Sequence, residues 1–303
     1  MSRIETILEK AVMMRDGKQP PPQHRDESPK QTILEKASMM RDGKQSPPQH
    51  HLVSPKPEID ASLFQTAEKC PIDNPYLVTA TDPDSLVSEE YRKLKSMVLK
   101  FTNNGSFQNT IMVTSSISGE GKSLTSINLA IALAQEFDHT VLLVDADLRK
   151  PSVCDYLGIK SEIGLADCLE DGLAVSEALV KTGIGKLVVL PAGKKVNNPA
   201  ELLSSNRMTA LVKELKQRYD DRYIIIDTPP VLAFAEAHSL GSIMDGILFI
   251  VKEGGGTKQN VQEALAMLKD TKIIGLVFNN AEISRFDADY RYRAYYSYHQ
   301  KGV

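Results

Sequence analysis

From about residue 85 the chain alternates two hydrophobic rhythms. Short, nearly unbroken apolar runs, rich in β-branched residues, occur at Thr110–Thr114, Thr140–Asp145, Lys186–Leu190, Tyr223–Asp227, Gly246–Val251 and Ile273–Phe278. Between them, apolar positions recur every three or four residues, which predicts helices over Ser85–Lys100, Lys122–Phe137, Ala200–Tyr219 and Lys258–Lys269. Strands apolar on both faces and separated by helices are the pattern of a buried parallel sheet. The expected fold is therefore α/β, a mostly parallel sheet with helices on both faces. In such sheets ligands bind beyond the carboxyl ends of the strands, so the residues just after each run matter most.

Upstream the pattern fails. Eleven of the 16 prolines precede residue 84, and Phe64 is the one aromatic residue in the first 75. A stretch so poor in buriable area cannot offset its ordering entropy, so residues 1–75 are expected to form a largely disordered extension. It contains a duplicated 26-residue unit: Thr6–Ala11 recurs as Thr32–Ala37, and Met13–Gln19 as Met39–Gln45. Ile4, Ile7, Leu8, Ala11 and Val12 have the spacing of one helical face, which suits either a fraying helix or a docking helix for a partner protein or membrane surface. Residues 76–284 are expected to form the folded domain and residues 285–303 a flexible tail.

Composition narrows the function classes. Lys plus Arg number 36 against 39 Asp plus Glu, a net charge of −3, which argues against a surface built for nucleic acid. No apolar run reaches the roughly 18–20 residues of a membrane span, and the first residues lack a secretory layout. Cys70, Cys154 and Cys168 fit no metal-ligand spacing and read as reduced thiols of a cytoplasmic protein.

The chemistry concentrates at three strand ends. The first strand runs into Ser116-Ile117-Ser118-Gly119-Glu120-Gly121-Lys122-Ser123 and then a helix. This is a phosphate-binding loop with Ser116 where glycine usually stands. Main-chain N–H groups from Ser118 through Leu124 would cradle phosphates, Lys122 would bridge the β- and γ-phosphates, and the Ser123 hydroxyl would ligate Mg²⁺. The second strand ends in Asp145-Ala146-Asp147-Leu148-Arg149 and the fourth in Asp227-Thr228-Pro229-Pro230. Any one of these carboxylates alone reads as a helix cap. Three at one sheet edge beside a phosphate loop suggest a Mg²⁺–nucleotide site.

Together these segments resemble the bacterial tyrosine autokinases of exopolysaccharide and capsule loci. In that family the loop is Walker A, the strand ending Asp-x-Asp-x-Arg is Walker A′ and the strand ending Asp-Thr-Pro-Pro is Walker B. The resemblance implies a P-loop NTPase-like fold, with ATP and Mg²⁺ as cofactors. It casts Lys122, Asp145 and Asp147 as catalytic, with Asp145 the favoured phenol-orienting carboxylate, Ser123, Asp145 and Asp227 as metal ligands, and Arg149 as a phosphate contact. Glu89, Arg92 and Lys95 resemble a ring-forming Glu-x-x-Arg-x-x-Arg helix, with Lys95 departing from the final arginine. Tyr290, Tyr292, Tyr295, Tyr296 and Tyr298, half of all tyrosines, correspond to an autophosphorylation cluster modified in trans. The implied partners are a membrane polysaccharide chain-length (co-polymerase) protein, other copies in a ring and an opposing tyrosine phosphatase. The implied location is the cytoplasmic face of the membrane, and the implied role is control of exopolysaccharide polymerisation and export. The alternative is a nucleotide-switch ATPase of the MinD/ParA type. Against it, Ser116, Ile117 and Ser118 supply no second loop lysine.

Overall fold

The computed structural model describes residues 65–66, 73–102, 108–136, 139–218 and 222–282. Most of the duplicated extension and the whole tyrosine-rich tail lie outside the described residues.

Eight strands form one sheet among the described residues: β1 (Gln65–Thr66), β2 (Thr110–Ser115), β3 (Thr140–Asp145), β4 (Val180–Lys181), β5 (Leu187–Leu190), β6 (Arg222–Asp227), β7 (Gly246–Lys252) and β8 (Ile273–Asn279). Their order is β1-β4-β5-β3-β6-β2-β7-β8, and every neighbouring pair is parallel except β4–β5. The six apolar runs thus appear as strands within a residue of their expected bounds. The two-residue strands β1 and β4 are too short to leave a periodic signal. β4 is tied to β5 through Val180 opposite Val189, so the departure from parallel pairing is local.

Strands β2, β3 and β6 carry the site because they are central. Every residue of β2 and β6 is buried. In the β3–β6 ladder Asp145 stands directly opposite Asp227, so two carboxylates share adjacent strand ends. Helix α1 (Leu86–Thr102) packs on α2 (Lys122–Ala134), and α2 lies on the sheet. From Thr125 to Ala134 every residue of α2 is buried, with Ile127, Ile131 and Leu133 joining Ile111, Val113, Val141 and Leu143 in the main core. A helix enclosed on all sides cannot tilt without breaking that packing, so its N-terminus is a fixed point for the phosphate loop.

One expected helix divides. The stretch Ala200–Tyr219 is two helices, α3 (Pro199–Leu203) and α4 (Asn206–Arg218). Ser204 Oγ donates back to the Ala200 carbonyl at 2.6 Å, while Ser205 Oγ accepts from Met208 N at 3.2 Å and caps the second helix. Adjacent serines compete with the helical ladder and supply a cap, which ends one helix and starts the next.

Candidate active site at the carboxyl edge of the sheet

The phosphate loop is shaped by two glycines and one buried acid. Gly119 and Gly121 adopt φ of 83° and 88°, in the left-handed region where a side chain is strained. A Cβ at Gly121 would also stand 2.0 Å from the Asn279 side-chain nitrogen, which donates to the Glu120 carbonyl at 2.9 Å. The Glu120 side chain turns inward and is fully buried: its Oε2 accepts from Ser116 Oγ at 2.7 Å and from Ile117 N at 2.9 Å. Ser116, which replaces a glycine of the usual pattern, therefore serves as a donor to the loop's own acid. Glu120 stiffens the loop with its carboxylate.

Beside the loop lies a compact charge cluster. Lys122 Nζ donates to Asp147 Oδ2 at 3.0 Å. Burial alone would lower the Lys122 pKa, but the Asp227, Asp147 and Asp145 carboxylates outweigh it and hold the ammonium above its ordinary range. Asp147 Oδ1 also accepts from Lys150 N at 3.1 Å, which fixes the turn after β3.

Asp145 and Asp227 meet different surroundings. Asp145 Oδ2 accepts from Ser152 N and Val153 N, both at 3.1 Å, at the start of helix Val153–Leu157, and Oδ1 faces Asp147 N at 3.3 Å. It acts as a helix cap and sits beside the cluster at once. Burial, then the nearby Asp227 charge, push its pKa up to about 7 despite those backbone donors. Asp227 is pushed up to about 6, chiefly by burial, with Lys122 and the Ser123 and Ser126 hydroxyls opposing. Ser126 Oγ donates to Asp227 Oδ1 at 3.2 Å, whereas Asp227 Oδ2 is buried with no hydrogen-bond partner among the described residues.

That orphaned oxygen is the test of fit for a divalent cation. Mg²⁺ takes few protein ligands, usually one or two carboxylates plus phosphate oxygens and waters. A buried carboxylate oxygen without a donor, next to the Ser123 hydroxyl, provides that minimal set. No group of three or more His, Cys, Asp or Glu side chains able to hold a metal by themselves occurs among the described residues.

The remaining expected residues have local partners. Arg149 turns to Glu236, with Nε 2.7 Å from Oε1, and lies over the Phe234 ring. Glu89 pairs with Arg92 at 2.8 Å, Arg92 also reaches the Pro83 carbonyl, and Lys95 pairs with Glu136 at the end of α2. Tyr290, Tyr292, Tyr295, Tyr296 and Tyr298 lie outside the described residues.

Sequence reading misses Glu236, Asn279 and Ser126. Asn279 follows an apolar strand directly, as Asp145 and Asp227 do, and Glu236 is the lone acid between Asp227 and Asp245. Both signals are present in the sequence. Ser126 has none, since its role depends on one helical turn bringing it under Asp227.

Known proteins agree with this geometry. The AAA domain family matches residues 108–271. Tyrosine-protein kinase YwqD of Bacillus subtilis (strain 168) is 37% identical over 212 residues, covering 69% of this chain and 87% of YwqD. The kinase domain of Escherichia coli tyrosine kinase ETK superposes with a TM-score of 0.64 at 28% identity, over 69% of this chain and 82% of that one. The chimerical protein CapA2B2 gives the same TM-score at 27% identity, over 73% of this chain and 94% of the chimera. These relatives favour a kinase over the nucleotide-switch alternative, and a P-loop kinase fold implies nucleotide binding. With its loop, its paired strand-end aspartates and its likeness to YwqD in agreement, this chain belongs to the family of bacterial tyrosine-protein kinases.

Proposed function

We propose that the chain transfers the γ-phosphoryl group of Mg²⁺–ATP to tyrosines of the C-terminal tail of a neighbouring subunit. The observation that carries this reading is the buried Asp227 Oδ2, without a hydrogen-bond partner among the described residues, on a carboxylate that the Ser123 hydroxyl also reaches, with Lys122 held 3.0 Å from Asp147 at the same rim. Phosphoryl transfer asks a protein mainly for positioning and charge neutralisation. Main-chain N–H groups of the loop, shaped by Gly119 and Gly121, bind the phosphates, and Lys122 neutralises them. Bound Mg²⁺, held through Ser123 and Asp227, supplies further charge neutralisation. Asp147 keeps Lys122 in place before the nucleotide arrives. Asp145 orients the incoming phenol and accepts its proton as that oxygen becomes acidic, a role its pKa near 7 suits.

The acceptor is the tail cluster Tyr290, Tyr292, Tyr295, Tyr296 and Tyr298. Five phosphotyrosines would add about −7.5 to −10 charges, against Arg285, Arg291, Arg293 and Lys301 nearby. A ring built through Glu89, Arg92 and Lys95 and held by docked tails would then loosen, and a tyrosine phosphatase would reset it. No helix among the described residues is long and apolar enough to cross a membrane. Attachment at the membrane's inner face would run through a polysaccharide chain-length protein. Control of exopolysaccharide polymerisation and export would follow from that attachment.

Mass-spectrometric mapping of phosphate on the full chain, with and without Lys122→Met, tests the assignment. Phosphate on tail tyrosines that disappears in the variant is expected. Phosphate retained in Lys122→Met, or confined to sites outside 285–303, would reject it.

A further inference from the structure

Helix Glu236–Gly241 begins with a carboxylate that packing does not explain. Glu236 is 1% exposed, its Oε1 accepts a single bond from Arg149 Nε at 2.7 Å, and its Oε2 is buried with no partner among the described residues. A half-satisfied buried acid opposite an arginine whose side chain is 37% exposed adds little to folding, and an apolar side chain would serve stability as well. What the pair does accomplish is geometric. Arg149 is gripped at Nε by Glu236, and its guanidinium lies 4.5 Å from the centroid of the Phe234 ring. The plane of the guanidinium is thereby set from two sides. Of its five N–H donors one is used, and neither terminal nitrogen has a hydrogen-bond partner among the described residues. Arg149 also stands two residues beyond Asp147, which holds Lys122, so its backbone belongs to the same rim as the phosphate loop.

We propose that Glu236 is a positioning residue that holds Arg149 as a preset fork for a phosphoryl group, borne either by the nucleotide or by an acceptor tyrosine. The inference rests on the nucleotide site assigned above. A guanidinium fixed before the ligand arrives loses less freedom on binding a planar pair of phosphoryl oxygens than a free arginine would, and lysine cannot reproduce the fork.

The test compares the full chain with Glu236→Gln, Arg149→Lys and the double variant in steady-state autophosphorylation, in binding of a fluorescent ATP analogue and in thermal unfolding. Glutamine keeps a carbonyl oxygen for Nε but removes the charge. The expected result is a loss of about tenfold in kcat/KM for Glu236→Gln, with the double variant no worse than Arg149→Lys, because coupled residues are not additive. A nucleotide-borne phosphoryl would appear as weaker analogue binding by the same factor. An acceptor-borne one would appear as lower kcat with analogue binding unchanged. The proposal is overturned if the two losses multiply, or if Glu236→Gln lowers the unfolding midpoint and leaves kinetics and analogue binding as in the parent. Lys122→Met separates this from the site assignment: activity surviving in that variant would discredit the assignment, while the kcat/KM comparison of Glu236→Gln, Arg149→Lys and the double variant would still report whether Glu236 acts through Arg149.

Discussion

Raising the pH from 5 to 8 in the absence of nucleotide should weaken the fold, opposite to the usual behaviour of carboxylates in ion pairs. Asp145 and Asp227 face each other across β3 and β6, and burial followed by mutual repulsion raises the Asp145 pKa to about 7, while burial foremost raises that of Asp227 to about 6. In the unfolded chain both titrate near 3.8. Between those values the folded state binds more protons than the unfolded state, so stability is complete below pH 4 and is lost as pH rises through 6 to 7. One pKa unit corresponds to about 1.4 kcal/mol, so the Asp145 shift alone amounts to about 4 kcal/mol. The two shifts do not simply add, because the Asp227 charge is itself part of what raises Asp145. Asp245, whose pKa is lowered by bonds from Lys216 and Thr110 in spite of burial, loses its contribution only at more acidic pH and leaves this window clear. Urea unfolding at half-unit steps from pH 5 to 8 reads the effect directly. Asp227→Asn should flatten the curve by removing one charge of the pair. Because a bound cation would require Asp227 ionised, Mg²⁺–ADP affinity should rise as the pH passes through about 6 with release of a proton, measurable by calorimetry in buffers of different ionisation enthalpy. Stability of the nucleotide-free chain that stays level or climbs from pH 5 to 7.5 would refute the placement of these two acids in one buried pair.

Other consequences can be checked by substitution. Lys122→Met removes the cation that offsets Asp147 and Asp227, and autophosphorylation should drop by about 10²–10³-fold in a phosphotyrosine assay. Glu120→Ala strands the Ser116 hydroxyl and the Ile117 N–H inside the loop, and urea unfolding should show a loss of about 2–4 kcal/mol. Gly121→Ala must bear a left-handed backbone and displace the Asn279 side chain. In an Asn279→Ala background the collision is gone, and only the backbone cost of roughly 1–2 kcal/mol should remain.

Much of this molecule is written in local pattern. A central strand such as Ile224–Asp227 is unbroken apolar residues followed by one acid, and that text is enough to place the acid at the carboxyl edge of a parallel sheet. The loop from Ser116 to Ser123 is equally local, since its two glycines, its lysine and its terminal serine follow one another within a single short turn. Helices with a clean three-to-four spacing, such as Leu86–Thr102, were legible for the same reason. The broken helix at Ser204 and Ser205 was not, because periodicity carries across a break that hydroxyl groups decide.

What tertiary structure alone decided is which distant residues meet. Asp145 and Asp227 are 82 residues apart, Glu120 and Asn279 159 apart, and Arg149 and Glu236 87 apart. Sheet order brings them together by placing β3 beside β6 and β7 beside β8 at one edge. Their acidities, and the lone oxygen of Asp227, follow from the dry surroundings that this order creates. Residue types and spacing name the chemical groups; burial and register set how strongly each one holds its proton and what it touches.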